Sequence, residues 1–470
     1  MDFDLSVPEG LEVEYKKATD AVPRSFWETY SSFANTSGGI VVFGVSEEGG
    51  LHVTGVNNAS KVVDELWNML ADPQKVSANI LVDDDVGVVK TDGKDVIVIR
   101  IPEADRRLKP IYLNGNMTAG TFVRYGQGDH HCDRSRLNEM IRDSQDVPAD
   151  DAPLREIPIE ALESDTVGRY RTRFASKNPG SPYNTLSDVE FLELLGAVGE
   201  IDGEKHPTRA GALMFCNSLY IVKAFPYYFL DYREFKDGGS DWVDRVSSMN
   251  PGRNDNVFDF YSTVSDRTWN SLSEPLMFSR DLVNRDDTDL RKAVRELIMN
   301  AVLHADYQGE MGVVIDRRSD SITISNPGLF RIPVGAAMKG GQSNPRNPTL
   351  FRMFGLIGLI ERAGTGVNRS MEGVRSSGLN EPVIEQTYEP SRTTVIVDLK
   401  RAASAHDGGE EAILKLIGAD DGITLNRLSS ETGISRNRVY SITKKMVAEG
   451  RLKREGSRRG GRWVVLDRVE

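Results

Sequence analysis

The sequence predicts an α+β protein of three units: two mixed α/β units and a small helical unit with a two-stranded tail. Three observations carry that expectation. Strand-like apolar runs alternate with helix-spaced stripes through most of the chain. Two polar stretches, residues 144–158 (SQDVPADDAPLREIP) and 400–411 (KRAASAHDGGEE), mix Ala, Asp, Gly or Pro with little apolar periodicity and read as linkers. Basic charge is gathered at one end. The units are expected at residues 1–145, 150–402 and 408–470.

Composition narrows the function classes. The 470 residues hold 39% hydrophobic side chains and 27% charged ones, with 58 Lys plus Arg against 70 Asp plus Glu, so the formal charge is -12. That excludes a uniformly basic nucleic-acid coat. Residues 423–470, however, carry twelve Lys or Arg against five acids, a local +7 that leaves -19 on the rest. A basic module therefore closes the chain. Two cysteines, Cys132 and Cys216, are too few for a disulfide scaffold or a Cys-rich zinc site. The start, MDFDLSVPEG, lacks a basic n-region and an apolar h-region, and no run approaches the roughly 18 apolar residues of a membrane span. A cytoplasmic, membrane-free protein is expected.

In the first unit, GGIVVFGVS (38–46), KDVIVIRIPE (94–103) and GTFVRYG (120–126) read as strands, with helices around 23–35, 60–72 and 134–143. Asn35, Gly38 and Gly39 suit a tight start to a strand. Lys109 and Arg124 fit phosphate contacts or surface salt bridges equally well. His130, His131 and Cys132 are consecutive, so neighbours among them point to opposite faces of a strand, and no distant partner completes a metal site.

In the second unit, ALMFCNSLYIVKAF (212–225), FPYYFLDYREF (225–235) and SITISN (321–326) read as strands, 290–304 and 367–376 as helices, and RTTVIVDL as a late strand. In LRKAVRELIMNAVLHADY (290–307), Leu290, Val294, Leu297 and Ala301 form an apolar stripe. Glu296, Asn300 and His304 recur every fourth residue beside it. Alone, that polar stripe is an ordinary solvated helix face. It has company: an Asn-Pro-Gly turn follows a strand in ISNPGLF (324–330), and a Gly-Thr-Gly loop opens a helix in ERAGTGVNRSMEGV (361–374). Amides of such a loop suit a phosphate.

The third unit reads as helix, helix, helix and ribbon. Thr424 and Ser435 are candidate N-caps, Gly433 and Gly450 stops, and Val439, Ile442, Met446 and Val447 a buried stripe. The pattern is a winged helix-turn-helix. Arg436, Asn437, Arg438 and Tyr440 fall in the first turns of helix three, where base edges are read, and Arg458, Arg459 and Arg462 on the ribbon suit phosphates or the minor groove.

REL-x-x-NAVLHADY, NPG, SNPRNPTLFRMFGLIGLIERAGTGVNR, PTRAGALMF and PYYFLDYREF together resemble the GHKL-type ATPase domain in the divergent form of bacterial RecG-related transcriptional regulators, over most of 206–400. The resemblance implies a Bergerat-type α/β sandwich that binds ATP. In it Asn300 would hold the Mg²⁺ that bridges the phosphates, and Glu296 would polarise the attacking water, for weak ATPase turnover. Gly364, Thr365 and Gly366 would line the phosphates, with Asn326 and Gly328 on the adenine side. The superfamily's adenine box is Asp-x-Gly-x-Gly. Here Asn-Pro-Gly stands in its place, so no charge assists adenine recognition, and Asp306 or His304 could contribute instead.

PEGLEVEYKK, SSFANTSGG, VVFGVSEEGG, LKPIY and GTFVRYG resemble the AlbA-like domain of the Schlafen proteins over about 9–143. That resemblance implies RNA or DNA binding, and in some members cleavage by metal-held carboxylates. Glu9 and Glu14 match the spacing of that pair, with Lys16 close by and Glu47 or Glu48 as a third acid. The expected function is an ATP-binding, DNA-binding regulator, a homodimer by analogy, whose nucleotide modulates its grip on nucleic acid. The alternatives are a metal-dependent nuclease gated by the ATPase domain and a non-catalytic dimerising scaffold.

Overall fold

The computed structural model describes residues 12–47, 50–125, 128–146, 150–236, 239–250, 255–272, 289–360, 366–399, 413–418, 420–432, 439, 442–443, 446–447, 451–455 and 462–466. The chain forms two compact units, residues 1–374 with 382–397, and residues 375–381 with 398–470.

The larger unit begins with β1 (Val13–Lys16), α1 (Phe26–Asn35), β2 (Gly39–Phe43), the short β3 (Val45–Ser46) and β4 (His52–Val53), and α2 (Ala59–Leu70). There follow β5 (Val86–Thr91), β6 (Lys94–Ile101), α3 (Met117–Gly120), β7 (Phe122–Tyr125), β8 (Gly128–His131) and α4 (Arg134–Ser144). The sheet order is β1-β2-β6-β5, with β1 parallel to β2 and the other pairs antiparallel. Both of its faces are apolar, which is why its strands read as continuous hydrophobic runs. Val41, Phe43, Ile97 and Ile99 pack under α1 and α2, while Val42, Val96 and Val98 face the opposite side with Val13 and Tyr15. Gly38 enters β2 at φ +78°, close against the Ile101 carbonyl.

Next come α5 (Ser164–Lys177), α6 (Asp188–Leu195), β9 (Val198–Ile201), β10 (Glu204–Pro207), α7 (Arg209–Phe215), α8 (Ser218–Ala224), β11 (Leu230–Phe235), β12 (Trp242–Ser247), α9 (Val257–Ser271) and α10 (Asp289–His304). They lead to β13 (Val313–Arg317), β14 (Ser321–Pro327), α11 (Val334–Lys339), α12 (Pro348–Leu356), α13 (Gly366–Ser376), β15 (Val383–Tyr388) and β16 (Ser391–Asp398). A six-stranded mixed sheet, β12-β11-β13-β14-β16-β15, is covered by α9 and α10. The apolar stripe of α10 (Leu290, Val294, Leu297 and Ala301) is buried.

Two sequence expectations fail here. Residues 212–225 are not a strand: they fall in α7 and α8. Thr208 accepts from the Gly211 amide to cap α7, and every residue from Ala210 to Phe215 is buried. A helix buried all round has no polar face, so its apolar run mimics a strand. Gly211 is obligatory there, because a Cβ would strike the Ala197 carbonyl. The second failure is the linker at 144–158, whose described residues include the buried Leu154, Ile157 and Asp150. The Asp150 carboxylate accepts from the amides of Thr349 (2.8 Å) and Leu350 (3.0 Å), capping α12. Asp150 is polar there because it satisfies a helix end.

In the smaller unit, residues 413–418 are helical and α14 (Leu425–Thr432) follows. Thr424 Oγ1 accepts from the Arg427 amide, 3.3 Å away. β17 (Leu452–Glu455) and β18 (Arg462–Val465) form an antiparallel hairpin. Ile413, Ile417, Leu428, Val439, Ile442, Met446, Leu452 and Trp463 make one core, and the Trp463 indole donates to the Ile423 carbonyl. Val447 is the exception to the predicted stripe. At 43% exposed it lies off the face shared by Val439, Ile442 and Met446.

Candidate nucleotide site

Helix α10 buries its apolar stripe against the sheet, and this turns Glu296, Asn300 and His304 toward a pocket. The pocket's other walls come from the turn after β14 (Leu329, Phe330, Arg331 and Ile332), from Ser343 and Asn344, from the start of α13 (Gly366 and Val367) and from Thr393 and Val395 of β16. Asn326 lies in the same wall. The largely apolar lining, with a few polar groups on one side, suits a flat heterocycle carrying a polar tail.

The polar groups crowd at one end. A Cβ on Gly366 would run into the Glu296 carboxylate and come within 3.2 Å of the Asn300 amide. The first backbone of α13 therefore lies directly against both side chains. Asn300 Nδ2 is buried without a hydrogen-bond partner, the arrangement of a side chain awaiting one. The unpartnered amide N–H and the helix N-terminus suit phosphate oxygens, and the Glu296 carboxylate and the Asn300 amide oxygen are the oxygen ligands available to a phosphate-bound Mg²⁺.

Of the sequence-predicted residues, Glu296, Asn300, Asn326 and Gly366 meet in the pocket. Gly364 and Thr365 lie outside the described residues, as do Glu9, Arg436, Asn437, Arg438, Tyr440, Arg458 and Arg459. Arg462 is described and exposed on β18. Gly328 turns elsewhere: at φ +91° it faces the Arg346 guanidinium, and its carbonyl accepts from Thr393. His304 and Asp306, left open by the sequence, separate. His304 lines the pocket, whereas the Asp306 carboxylate is turned away to Arg142 (2.6 Å) and the Gln308 amide. Burial, with the charges of Arg346 and Arg331 added, lowers the His304 pKa from 6.5 to about 4, so the ring is neutral at pH 7.

Behind the turn lies a buried ion network that the sequence reading missed. The Asp143 carboxylate of α4 accepts from Arg346 Nε at 3.0 Å and from its Nη2. Arg346 also donates to the carbonyls of His304 and Leu329. Glu139, one turn earlier, accepts from Arg136 at 2.7 Å and lies 3.5 Å from Arg346. Burial opposes ionisation of Asp143 and Glu139, but the arginines prevail and hold both carboxyls below the usual range. The visible signal was the Pro-Arg-Asn-Pro run at 345–348, but nothing local pairs Arg346 with an acid 203 residues away.

In the N-terminal region Glu14 lies between Lys16 (2.5 Å) and Arg124 (2.7 Å). Arg124 is 2% exposed, also binds Asp129, and stacks on Phe33, so it is an internal cation rather than a phosphate contact. Lys109 pairs with Glu103 at 2.7 Å. Asn35 bridges α1 to the Ile111 backbone in both directions and to the Phe122 carbonyl. Among the described residues no group of three or more His, Cys, Asp or Glu could hold a metal ion. Nor, among them, is any helix long and apolar enough to cross a membrane.

Four family models match the chain. Residues 9–133 match "Schlafen, AlbA_2", 138–231 a domain of unknown function (DUF8451), 310–397 "Putative ATP-dependent DNA helicase recG C-terminal", and 410–453 "Winged helix-turn-helix DNA-binding". The third match begins after the helix that carries Glu296 and Asn300. Among solved structures, the DIP2311 protein from Corynebacterium diphtheriae is 14% identical, with 97% of this chain and 95% of that one covered, at a TM-score of 0.42. The N-terminal domain of a "Putative ATP-dependent DNA Helicase RecG-related Protein" from Nitrosomonas europaea is 26% identical over 27% of this chain and 87% of that one, at a TM-score of 0.21. No curated protein matches. The chain thus carries an N-terminal Schlafen/AlbA_2 domain, a RecG C-terminal-like domain of the ATPase class and a C-terminal winged helix-turn-helix.

Proposed function

We propose that this protein is an ATP-binding, DNA-binding transcriptional regulator of the cytoplasm in which nucleotide modulates the grip on nucleic acid. One observation carries the nucleotide half of the reading: Glu296, Asn300 and His304 of one helix face share a pocket with Gly366, whose backbone touches the first two. Asn300 would hold Mg²⁺, and Glu296 would orient a water toward the terminal phosphate. Bound Mg²⁺ would neutralise phosphate charge. The 364–366 loop and the N-terminus of α13 would meet the phosphates. Asn326 and the neutral His304 offer the heterocycle hydrogen bonds without a charge.

The DNA half rests on the winged-helix match and on the +7 carried by residues 423–470. A homodimer reading two half-sites is the assembly that goes with it.

The test uses the full chain with labelled DNA and RNA, Mg²⁺ or Mn²⁺, at fixed low salt, with and without ATP. A mobility shift of intact strands that changes with ATP is the expected result. Asn300→Ala abolishes the ATP effect, and Glu296→Gln keeps it while removing phosphate release. DNA affinity indifferent to ATP would overturn the modulation. Strands shortened by the wild type and left intact by Glu14→Ala would replace the regulator with a nuclease.

A further inference from the structure

Arg331 belongs to two structures at once. It lines the nucleotide pocket with Glu296 and Asn300. It also holds the end of α4, donating Nη2 to the Asp143 carbonyl (3.0 Å), with Nη1 on the Pro345 carbonyl (3.1 Å) and Nε 3.6 Å from the Asp143 carboxylate. That carboxylate is already engaged by Arg346.

The buried charges do not balance. Arg136, Arg331 and Arg346 meet two carboxylates, Glu139 and Asp143, while Arg106, bonded to the Asp143 carbonyl, has a carboxylate of its own in Asp146 at 3.2 Å. Arg331 is the cation without a carboxylate of its own. Its side chain is 10% exposed, its Nε is buried without a hydrogen-bond partner, and its other donors meet neutral carbonyls. A buried guanidinium in that position is under-compensated. Burial above all, with the neighbouring Arg106 and Arg346, lowers its pKa to about 10 against the attraction of Asp143 and Asp146.

We propose that Arg331 reads the phosphates of the bound nucleotide, and that the phosphates compete with Asp143 for it, so that nucleotide binding loosens the hold on α4. The inference rests on the nucleotide reading above and adds the residue that transmits it. Helix α4 closes the N-terminal region, and Glu139 and Asp143, four residues apart on one of its faces, are its grip on the pocket's outer wall. Linkage makes the coupling reciprocal: whatever frees Arg331 from α4 tightens nucleotide binding.

The experiment is a double-mutant cycle on the full chain, read by calorimetric titration with Mg-ATP and by hydrogen exchange of residues 138–144. In the wild type, Mg-ATP raises exchange in this segment several-fold. Arg331→Gln weakens Mg-ATP about tenfold or more and removes the nucleotide-dependent rise. Asp143→Asn tightens Mg-ATP, and that gain vanishes in the double variant. Because Asp143→Asn also strips Arg346 of its partner, its melting temperature is checked, and the Arg331→Gln arm stands without it. Unchanged affinity in Arg331→Gln, or Mg-ATP bound by the wild type with exchange of α4 unaltered, overturns this proposal alone. Failure of the wild type to bind Mg-ATP overturns the nucleotide reading and this proposal with it.

Discussion

Gly328 stands at φ +91°, and a Cβ there would run into the Arg346 guanidinium that bonds the His304 carbonyl. Gly328→Ala should therefore cost about 1–3 kcal/mol, combining left-handed strain with displacement of a buried cation; chemical denaturation checks it, and an unchanged midpoint would refute it. His304 carries a pH prediction. Its folded pKa of about 4 lies below the 6.5 of the unfolded chain, so the unfolded state binds more protons between those values. Stability is complete above pH 6.5 and declines as the pH falls toward 4, by ~3 kcal/mol at most. His304→Gln should flatten that decline in melts from pH 7 to 4; identical slopes in both proteins would sink the assignment. The depressed Asp143 and Glu139 act in the same direction but further into acid, so the two contributions separate. None of this was visible residue by residue in the sequence: Gly328 reads there as part of an adenine turn, and its constraint comes from an arginine eighteen positions on.

At the scale of elements, α10 was legible because its apolar stripe repeats at helical spacing and its polar stripe recurs every four residues. Strands β2, β6, β7, β14 and β16 were legible for the same reason, at period two or as apolar runs. Helices α7 and α8 were not: burial of nearly all of α7 erases its amphipathic signal, and α8 exposes the apolar Leu219 and Val222 where a polar face would mark a helix. The 144–158 stretch was misjudged because a capping carboxylate and a linker carboxylate look alike in one dimension. Asp150 makes the difference measurable. Asp150→Ala, which strips the two α12 amides of their acceptor, should cost about 1–2 kcal/mol, while Asp150→Asn keeps an acceptor and costs less. Urea titration of the three proteins checks the order, and equal losses in the two variants would argue for charge instead of capping. Tyr30 is a second case: its hydroxyl donates to the Ala78 carbonyl and accepts from the Ile80 amide, tying α1 to the 78–80 loop. Tyr30→Phe should cost about 1–3 kcal/mol by leaving that amide unpaired.

At the scale of the whole molecule, the uneven charge bears on nucleic-acid binding. With -19 outside the last 48 residues and +7 within them, affinity should fall steeply with salt. Replacing the exposed Arg462 by Ala should weaken binding across sequences alike and reduce the salt slope by about one; a changed sequence preference with an unchanged slope would mean that Arg462 reads bases. Although the two mixed units it set apart fall in one compact unit, the sequence by itself determined the winged-helix pattern, the amphipathic register of α10 and the residue types its polar face offers. Local spacing and composition encode these, and both survive in one dimension. Only the tertiary structure decided which groups share a pocket: His304 inward and Asp306 outward, Gly366 against Glu296 and Asn300, and Asp143 against Arg346 and Arg331. Those choices depend on contacts between residues up to about two hundred positions apart, made by packing and charge compensation that local periodicity does not record.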